Sequence, residues 1–284
     1  MSTGDMMNRY KIVFIDIDDT LNPTNKKVSL YTKEVMKKLK EKGIKLVLNT
    51  GRSVSYAINK SREAGLSEYV IGSNGSEIYN YETKEKVLAK SISKKDIKKI
   101  YEYCKLHDMT MVMNSFEKRY VNTTNYSYND EAAIYIDDID KLVGEEDINQ
   151  IVILSTNYDR MLVIPNLFKE KFPDLNIIHS SINLVEQRRA KGKEYYHDIV
   201  LSNTSKGSGI VELLDYFNID SSEAIAIGNG YDDVSMCDVV GLSVAVGNAV
   251  SLLKEVATCV TDSSEEDGVA KILEKLCLEE KEAN

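Results

Sequence analysis

Two aspartates, Asp16 and Asp18, stand at the end of an apolar, β-branched segment that begins at Lys11. Such a segment is typical of a strand buried on both faces of a parallel sheet. The two carboxylates would repel each other unless a cation lies between them or one of them is protonated. Mg²⁺ suits such a pair, because it prefers oxygen ligands and is commonly held by one or two carboxylates and a substrate phosphate. An isolated pair with this spacing is also typical of a polar turn and helix cap.

Polar clusters follow three further segments that are predicted to be strands. They are Thr50-Gly51-Arg52, Ser73-Asn74-Gly75 and the run Gly-Asn-Gly-Tyr-Asp-Asp at 228–233. In open α/β sheets, ligands bind beyond the carboxyl ends of the strands. We therefore expect the four strand ends to form one acidic, hydroxyl-bearing pocket.

In the residue types and order of these clusters, the sequence resembles the haloacid dehalogenase superfamily. The run Asp-Ile-Asp-Asp-Thr at 16–20 resembles the first motif of that family, DxDx[TV]. Thr50 matches the hydroxyl residue of the second motif, Lys206 matches the lysine of the third, and 228–233 resembles the fourth, GDxxND. The long insert between the second and third motifs is similar to that of the Cof-type branch, whose cap is of the type called C2.

The resemblance implies a Mg²⁺-dependent phosphatase that works through an aspartyl-phosphate. Asp16 would be the nucleophile, and Asp18 would protonate the leaving group and then activate water. The residues expected to bind the substrate phosphate are Thr50, Gly51, Arg52, Asn74 and Lys206. The residues expected at the metal are Asp16, Asp18, Asn229, Asp232 and Asp233.

Two of these residues also have simpler interpretations. Arg52 would serve equally well as a helix-capping or surface-pairing residue. Asn74 precedes a glycine, and Asn-Gly is a favourable turn sequence. The segment 116–122 is predicted to be an exposed cap strand or, alternatively, a source of specificity residues.

The fourth motif departs from the family pattern. Asn229 stands where the family usually has the metal-binding aspartate, and Asp232 stands where it usually has asparagine. An asparagine offers a carbonyl oxygen to Mg²⁺ but no charge. We expect Asn229 to face the cation and Asp232 to restore the total charge of the site.

The order of predicted elements indicates an α/β fold: a Rossmann-like, doubly wound parallel sheet with an inserted α+β cap. A helix is predicted over 30–42 with Leu30, Val35 and Leu39 on one face, and another over 54–64, closed by Gly65. In the cap, Ile97, Ile100, Tyr101 and Cys104 are predicted to share the apolar side of a helix. The predicted domains are a core formed by 1–83 and 197–284, and a cap formed by 84–196.

Composition restricts the possible partners. The net charge of -9 at pH 7 argues against nucleic acid or an anionic membrane as a partner. The four cysteines form no CxxC pair, so neither a zinc site nor a disulfide framework is expected, and a cytoplasmic location is favoured. We expect a small phosphorylated metabolite, such as a sugar phosphate, as the partner, and a monomer or homodimer.

Two other functions are compatible with these motifs. A phosphomutase of similar architecture would share the aspartyl-phosphate step. A catalytically weak protein that binds or senses a phosphorylated ligand would retain the fold but have an altered fourth motif. The layout of motifs and cap favours the phosphatase.

Overall fold

Two β-sheets, each covered by helices, form the part of the chain that the computed structural model describes, which is residues 9–23, 26–116, 118–124, 133–178 and 195–279. The strands are β1 (Ile12–Ile15), β2 (Lys45–Asn49), β3 (Tyr69–Gly72), β4 (Glu77–Asn80), β5 (Glu85–Ala89), β6 (Thr110–Asn114), β7 (Arg119–Val121), β8 (Ile134–Tyr135), β9 (Gln150–Ser155), β10 (Leu175–Ile178), β11 (Tyr195–Leu201), β12 (Ala224–Gly228), β13 (Leu242–Ala245) and β14 (Cys259–Val260). The helices are α1 (Leu30–Glu41), α2 (Val54–Ala64), α3 (Lys94–Leu106), α4 (Ile139–Glu145), α5 (Tyr158–Lys171), α6 (Lys206–Phe217), α7 (Val234–Cys237), α8 (Ser251–Val256) and α9 (Gly268–Leu273).

The core sheet has the strand order β14-β13-β12-β1-β2-β3-β4-β5. Its strands are parallel from β14 to β3, whereas β4 and β5 are antiparallel additions at one edge. Strand β1 is buried on both faces, since Val13 and Ile15 pack in one apolar cluster and Ile12 and Phe14 in another. The α/β prediction is confirmed, with the difference that the sheet is mixed rather than wholly parallel.

The helix predictions are confirmed, except that one residue of α1 does not lie on the predicted apolar face. Helix α2 has the predicted bounds, and Gly65 closes it in the left-handed conformation with φ of 71°. In α1, Val35 and Leu39 are buried, but Leu30 is 85% exposed. At 3.6 residues per turn, Leu30 lies about 180° around the helix from Leu39. The prediction that Leu30 shares their face was therefore wrong.

The second sheet has the strand order β10-β11-β9-β6-β7-β8. One of its faces packs against α3, where the four predicted apolar residues are buried. Sheet membership departs from the predicted boundaries at two strands. Strand β5 extends the core sheet beyond β4, and β11 continues past 196 because it pairs with both β9 and β10. The division into a core and a cap at 84–196 otherwise stays a prediction. Among the described residues, no helix has the length and apolar character needed to cross a membrane.

Gly75 brings the turn after β3 against the start of α6. Its φ is +89°, and a Cβ added there would lie 2.1 Å from the carbonyl oxygen of Ser205. Oγ of Ser205 caps α6 by accepting a hydrogen bond from the peptide N–H of Ser208, and Oγ of Ser208 accepts one from the peptide N–H of Ser205. The close approach therefore fixes the third strand end relative to the first residue of α6, Lys206.

We predict that Gly75→Ala destabilises the protein more than Gly43→Ala. Both glycines have positive φ, so both variants incur strain of about 1 kcal/mol. Only Gly75 also meets backbone, which raises its expected loss to about 3 kcal/mol. Urea unfolding, with the midpoint compared at an unchanged slope, measures the difference. Equal losses in the two variants would contradict the close approach.

Candidate active site

The ammonium group of Lys206 lies among three aspartates. Its Nζ is 2.7 Å from Oδ1 of Asp16, 2.8 Å from Oδ2 of Asp232 and 2.6 Å from Oδ1 of Asp233. Lys206 is 2% exposed, and the side chains of its partners are at most 8% exposed. This arrangement brings the predicted first, third and fourth motifs to one point.

Backbone contacts fix Asp16 and Asp233 in this group. The peptide N–H of Asp16 donates to the carbonyl of Ile227, because β1 and β12 are neighbours in the sheet. Oδ2 of Asp233 accepts the peptide N–H groups of Asn229 and Gly230, both at 2.8 Å. Lys206 is the first residue of α6. The side chains are therefore oriented by the strand ends themselves.

Burial governs the protonation of the group. It raises the pKa of Asp16 well above its ordinary value, against the opposing effect of the Lys206 charge. The pKa of Asp232 is raised for the same reason and by the charge of Asp233. For Lys206, burial alone would lower the pKa, but the charges of Asp16, Asp232 and Asp233 outweigh it and raise the pKa well above the usual value. The lysine therefore stays charged, whereas burial and the mutual repulsion of the carboxylates disfavour the ionised forms of Asp16 and Asp232.

Asp18 and Arg52 form a second ion pair beside this group. Nε of Arg52 donates to Oδ2 of Asp18 over 2.8 Å, and the guanidinium lies over the ring of Tyr56 at 5.1 Å from its centroid. Arg52 was predicted to bind phosphate, to cap a helix or to pair on the surface. The structure shows it paired with Asp18 inside the site. The loop after β2 thus meets the loop after β1.

These groups open into a cavity of about 180 Å³ between the two sheets. Seven of the residues predicted for the site line it: Asp16, Asp18, Thr50, Gly51, Arg52, Lys206 and Asp232. Three predicted residues, Asn74, Asn229 and Asp233, are not part of the lining. Their roles in catalysis, like those of the seven, stay predictions.

Asn74 lies behind the second strand end. Its φ is +56°, after Ser73 at +51°, and its peptide N–H donates to the carbonyl of Thr50. A Cβ added to Gly51 would lie 3.0 Å from Oδ1 of Asn74. Its Nδ2 donates to Oδ2 of Asp198 over 3.4 Å. Asn74 therefore supports the loop that carries Thr50 and contacts the second sheet.

Of the two exchanged residues in the fourth motif, Asp232 reaches the cavity. Its Oδ1 is buried and has no hydrogen-bond partner among the described residues. Asn229 is 8% exposed and is held by its backbone, since its carbonyl accepts the peptide N–H of Val250. Of these two residues, the carboxyl group of Asp232 is therefore at the cavity wall and the side chain of Asn229 is not part of the lining.

The donor atoms fit a hard divalent cation. The cavity lining contains five aspartates and three basic residues, so acidic groups outnumber basic ones, and a bound cation would favour the ionised carboxylates that burial disfavours. No group of three or more His, Cys, Asp or Glu side chains suited to a metal occurs within the described ranges. Mg²⁺ does not require such a cage, because water and substrate phosphate commonly complete its shell. The partnerless Oδ1 of Asp232 is the atom whose burial a cation would compensate.

Sequence reasoning did not identify the residues that the second sheet adds to the cavity, apart from including Arg119 within the segment 116–122. Position 117 of that segment lies outside the described residues. Burial, together with the charge of Asp232, raises the pKa of Asp198 to about 7. Alternation along β6, β9 and β11 was the available signal, because every second residue of a strand lies on one face. The lining residues added by the second sheet are Val112, Asn114, Arg119, Gln150, Val152, Leu154, Tyr196 and Asp198, and Asp19 of the loop after β1 also lines the cavity.

Comparison with known proteins extends over most of the chain. Residues 13–273 match the family of haloacid dehalogenase-like hydrolases. A Haemophilus influenzae protein with a provisional phosphatase name is 30% identical, over 94% of this chain and 98% of its own. The 5-amino-6-(5-phospho-D-ribitylamino)uracil phosphatase YcsE of Bacillus subtilis is 26% identical, over 93% and 94%. A haloacid dehalogenase-like hydrolase from Bacteroides thetaiotaomicron has the same fold, with a TM-score of 0.81 and 23% identity over 94% of this chain and 99% of that one.

A buried glutamate lies next to the turn that carries Asn74. Glu77 in β4 is fully buried, and its Oε2 accepts a 2.6 Å hydrogen bond from Oγ of Ser73. Its Oε1 has no hydrogen-bond partner among the described residues. Burial raises the pKa of Glu77 to about 7, although the Ser73 bond and the charge of Lys86 oppose the shift. In the folded protein, Glu77 is therefore mostly protonated below neutral pH.

We predict that Glu77→Gln stabilises the protein at pH 8 but has little effect at pH 4.5. A carboxyl whose folded pKa exceeds its unfolded value contributes full stability below the unfolded pKa of 4.5 and loses it as pH rises to about 7. The shift is equivalent to at most about 3 kcal/mol. Thermal unfolding of both proteins across this range, with exposed Glu102→Gln as the control, measures it. A pH-independent difference would refute a raised pKa.

Proposed function

The chain belongs to the haloacid dehalogenase-like hydrolase family and is a phosphatase, and we propose that it hydrolyses a monoester of a small polyhydroxylated metabolite, such as a sugar phosphate. We propose further that the reaction requires Mg²⁺ and proceeds through an aspartyl-phosphate on Asp16. The supporting observation is the Lys206 group, in which one buried ammonium holds Asp16 at the wall of a cavity that Asp18 also lines.

In the first step, a carboxylate oxygen of Asp16 attacks phosphorus. The Asp16 O–P bond forms as the ester P–O bond breaks, and Asp18 gives its proton to the departing alkoxide. Lys206 holds Oδ1 of Asp16 in the ligand-free site, so Oδ2 is the proposed attacking atom. Lys206 also places positive charge beside the developing phosphoryl charge.

In the second step, water attacks the acylphosphate. Asp18 takes the proton from the water, the Asp16 O–P bond breaks, and inorganic phosphate leaves. The ion pair between Asp18 and Arg52 gives a physical basis for the change of Asp18 from proton donor to proton acceptor. A phosphoryl group in the cavity attracts Arg52, which leaves the carboxyl group of Asp18 available to exchange a proton with the leaving group and the water.

Mg²⁺ would be held by Oδ1 of Asp16 and by an oxygen of Asp18 that does not carry the transferred proton, with Asp232 adding charge at the cavity wall. When bound, the ion would neutralise part of the negative charge on the phosphoryl oxygens. Asp233 acts differently in this proposal, because both of its oxygens are already engaged by Lys206 and by two peptide N–H groups. Asp233 is therefore a positioning residue for Lys206.

The polyhydroxylated substrate is supported by two observations. Side chains able to bind hydroxyl groups, Asn114, Gln150 and Asp198, line the cavity opposite Asp16. The name of the relative YcsE places its phosphate on a ribityl chain. A phosphomutase would isomerise such a substrate and depend on a bisphosphate primer, whereas a phosphatase releases inorganic phosphate without one.

We predict that Asp16→Asn abolishes phosphate release from p-nitrophenyl phosphate, with a loss on the order of 10⁴-fold or more. The variant keeps the shape of the side chain but has no nucleophilic carboxylate. Mass spectrometry of acid-quenched protein should find phosphate on Asp16 in the parent only. Exposed Asp238→Asn is the control, and circular dichroism checks the fold. Retention of most of the activity by Asp16→Asn would exclude the covalent mechanism.

We predict that Asp232→Asn weakens Mg²⁺ binding by about tenfold, the effect of roughly 1.4 kcal/mol. The change removes one charge at the cavity wall but preserves the volume of the side chain. Asn229→Asp should strengthen binding, because it adds a charge at the position where the family has one. Titration calorimetry with Mg²⁺ alone measures both, with Asp238→Asn as the control.

Equal affinities in the parent and both variants would show that neither fourth-motif residue acts on the cation. If the parent does not bind Mg²⁺ at all, the proposed metal requirement is wrong.

A further inference from the structure

The turn after β3 holds the loop after β2 through its backbone. Three successive residues of this turn lie in the left-handed region, with φ of 51° at Ser73, 56° at Asn74 and 89° at Gly75. A residue other than glycine keeps such a conformation only where surrounding contacts hold it. The peptide N–H of Ser73 donates to the carbonyl of Arg52 at 2.8 Å, and that of Asn74 donates to the carbonyl of Thr50 at 3.1 Å. The conformation of the turn therefore sets the position of the loop after β2.

That loop presents the hydroxyl group of Thr50 to the cavity. Thr50 lines the cavity, and its Oγ1 accepts a hydrogen bond from the peptide N–H of Arg52 at 3.1 Å. This bond uses a lone pair of the hydroxyl group and leaves its hydrogen able to donate to a phosphoryl oxygen. A displacement of the loop would therefore move a phosphate donor relative to Asp16.

The side chain of Ser73 is held by Glu77 of β4. In the antiparallel register of β3 and β4, Glu77 pairs with Gly72, which fixes the backbone of Glu77 in the sheet. Its Oε2 accepts the hydrogen bond from Oγ of Ser73 at 2.6 Å, a short distance for a bond between two oxygens. The carboxyl group of Glu77 thereby connects the core sheet to the first residue of the turn.

The burial of Glu77 is costly unless this bond has a purpose. Glu77 is fully buried, and its Oε1 has no hydrogen-bond partner within the described ranges. Burial raises the pKa of Glu77 to about 7, and the charge of Lys86 on β5 opposes the shift. An apolar side chain would avoid the free-energy cost of burying a carboxyl group that is only half satisfied. What Glu77 supplies and an apolar residue lacks is the acceptor for Ser73.

We propose that Glu77 is a positioning residue for phosphoryl transfer, which holds Ser73 in the left-handed conformation and, through the turn, keeps Thr50 in place beside Asp16. Glu77 is not part of the cavity lining, so its effect on the reaction passes through the peptide groups of the turn. This inference rests on the proposed phosphatase mechanism, in which Thr50 binds the transferring phosphoryl group. Placement matters because a displacement of about 1 Å can cost on the order of 100-fold in rate.

The test separates the acceptor of residue 77 from its charge. At about pH 6, where Glu77 is mostly protonated, Glu77→Gln keeps an oxygen that accepts from Ser73, whereas Glu77→Met has similar length and only a weakly accepting sulfur. Glu77→Met should lower kcat for p-nitrophenyl phosphate by about tenfold or more and change KM less than about threefold. Glu77→Gln should keep kcat within about threefold of the parent. If Glu77→Met also does so, the inference is wrong.

Stability measurements distinguish positioning from a defect in folding. Because Glu77→Met removes a half-satisfied buried carboxyl group, its urea midpoint should equal or exceed that of the parent. A lower kcat in a variant that is as stable as the parent supports positioning, since a residue that only stabilises the fold would change the midpoint and leave the kcat of the folded protein unchanged.

Ser73→Ala tests the same hydrogen bond from the donor side. It should lower kcat by a similar factor, and the double variant with Glu77→Met should lose no more than the more impaired single variant. Ser76→Ala is the matched control, because Oγ of Ser76 is buried in the same turn and has no hydrogen-bond partner among the described residues.

Ser76→Ala should leave kcat within about twofold of the parent. Additive losses in the double variant, or an equal loss in Ser76→Ala, would overturn the assignment of this bond. Absence of phosphate release from the parent protein would instead overturn the proposed function.

Discussion

The buried ammonium of Lys206 constrains the whole site. A charge removed from water is tolerated only when it is paired, and removal of one partner from a buried ion pair typically costs about 3–5 kcal/mol. Lys206 has three such partners, from the end of β1 and the loop after β12. The sheet order makes this possible because β1 lies beside β12, although more than 200 residues separate them. The same contacts that satisfy Lys206 therefore fix the carboxylate of Asp16.

The residues predictable from the sequence were those whose signal is local. A continuous apolar strand followed by Asp16 and Asp18 indicates a buried parallel strand, whatever the rest of the chain does. Gly65 marks the end of α2 for an equally local reason, since glycine readily adopts positive φ. Leu30 departs from the predicted face of α1 because it precedes Leu39 by nine residues, which is about 180° around the helix.

The residues that were missed depend on strand pairing over long distances. Gln150 and Asp198 resemble ordinary polar strand residues in the sequence, and only the register of β9 and β11 places them over the cavity. The fourth motif shows the same limit. Its spacing revealed an exchange of charge between Asn229 and Asp232, but only the turn geometry shows that Asp232 faces the cavity. Local patterns predict which loops contribute residues to the site, whereas strand pairing in the second sheet determines which residues line the rest of the cavity.

Strand β9 carries two independent functions on alternate residues. Ile151 and Ile153 pack with the helices that cover the outer face, whereas Val152 and Leu154 face the cavity. A substitution at 152 or 154 can therefore change the cavity wall while the outer packing is preserved, and Asp16 lies on a different sheet. Mutation and selection can vary the two sets separately. In a family that shares one fold, such a division would let the cavity wall change by single replacements while the packing behind it stays the same.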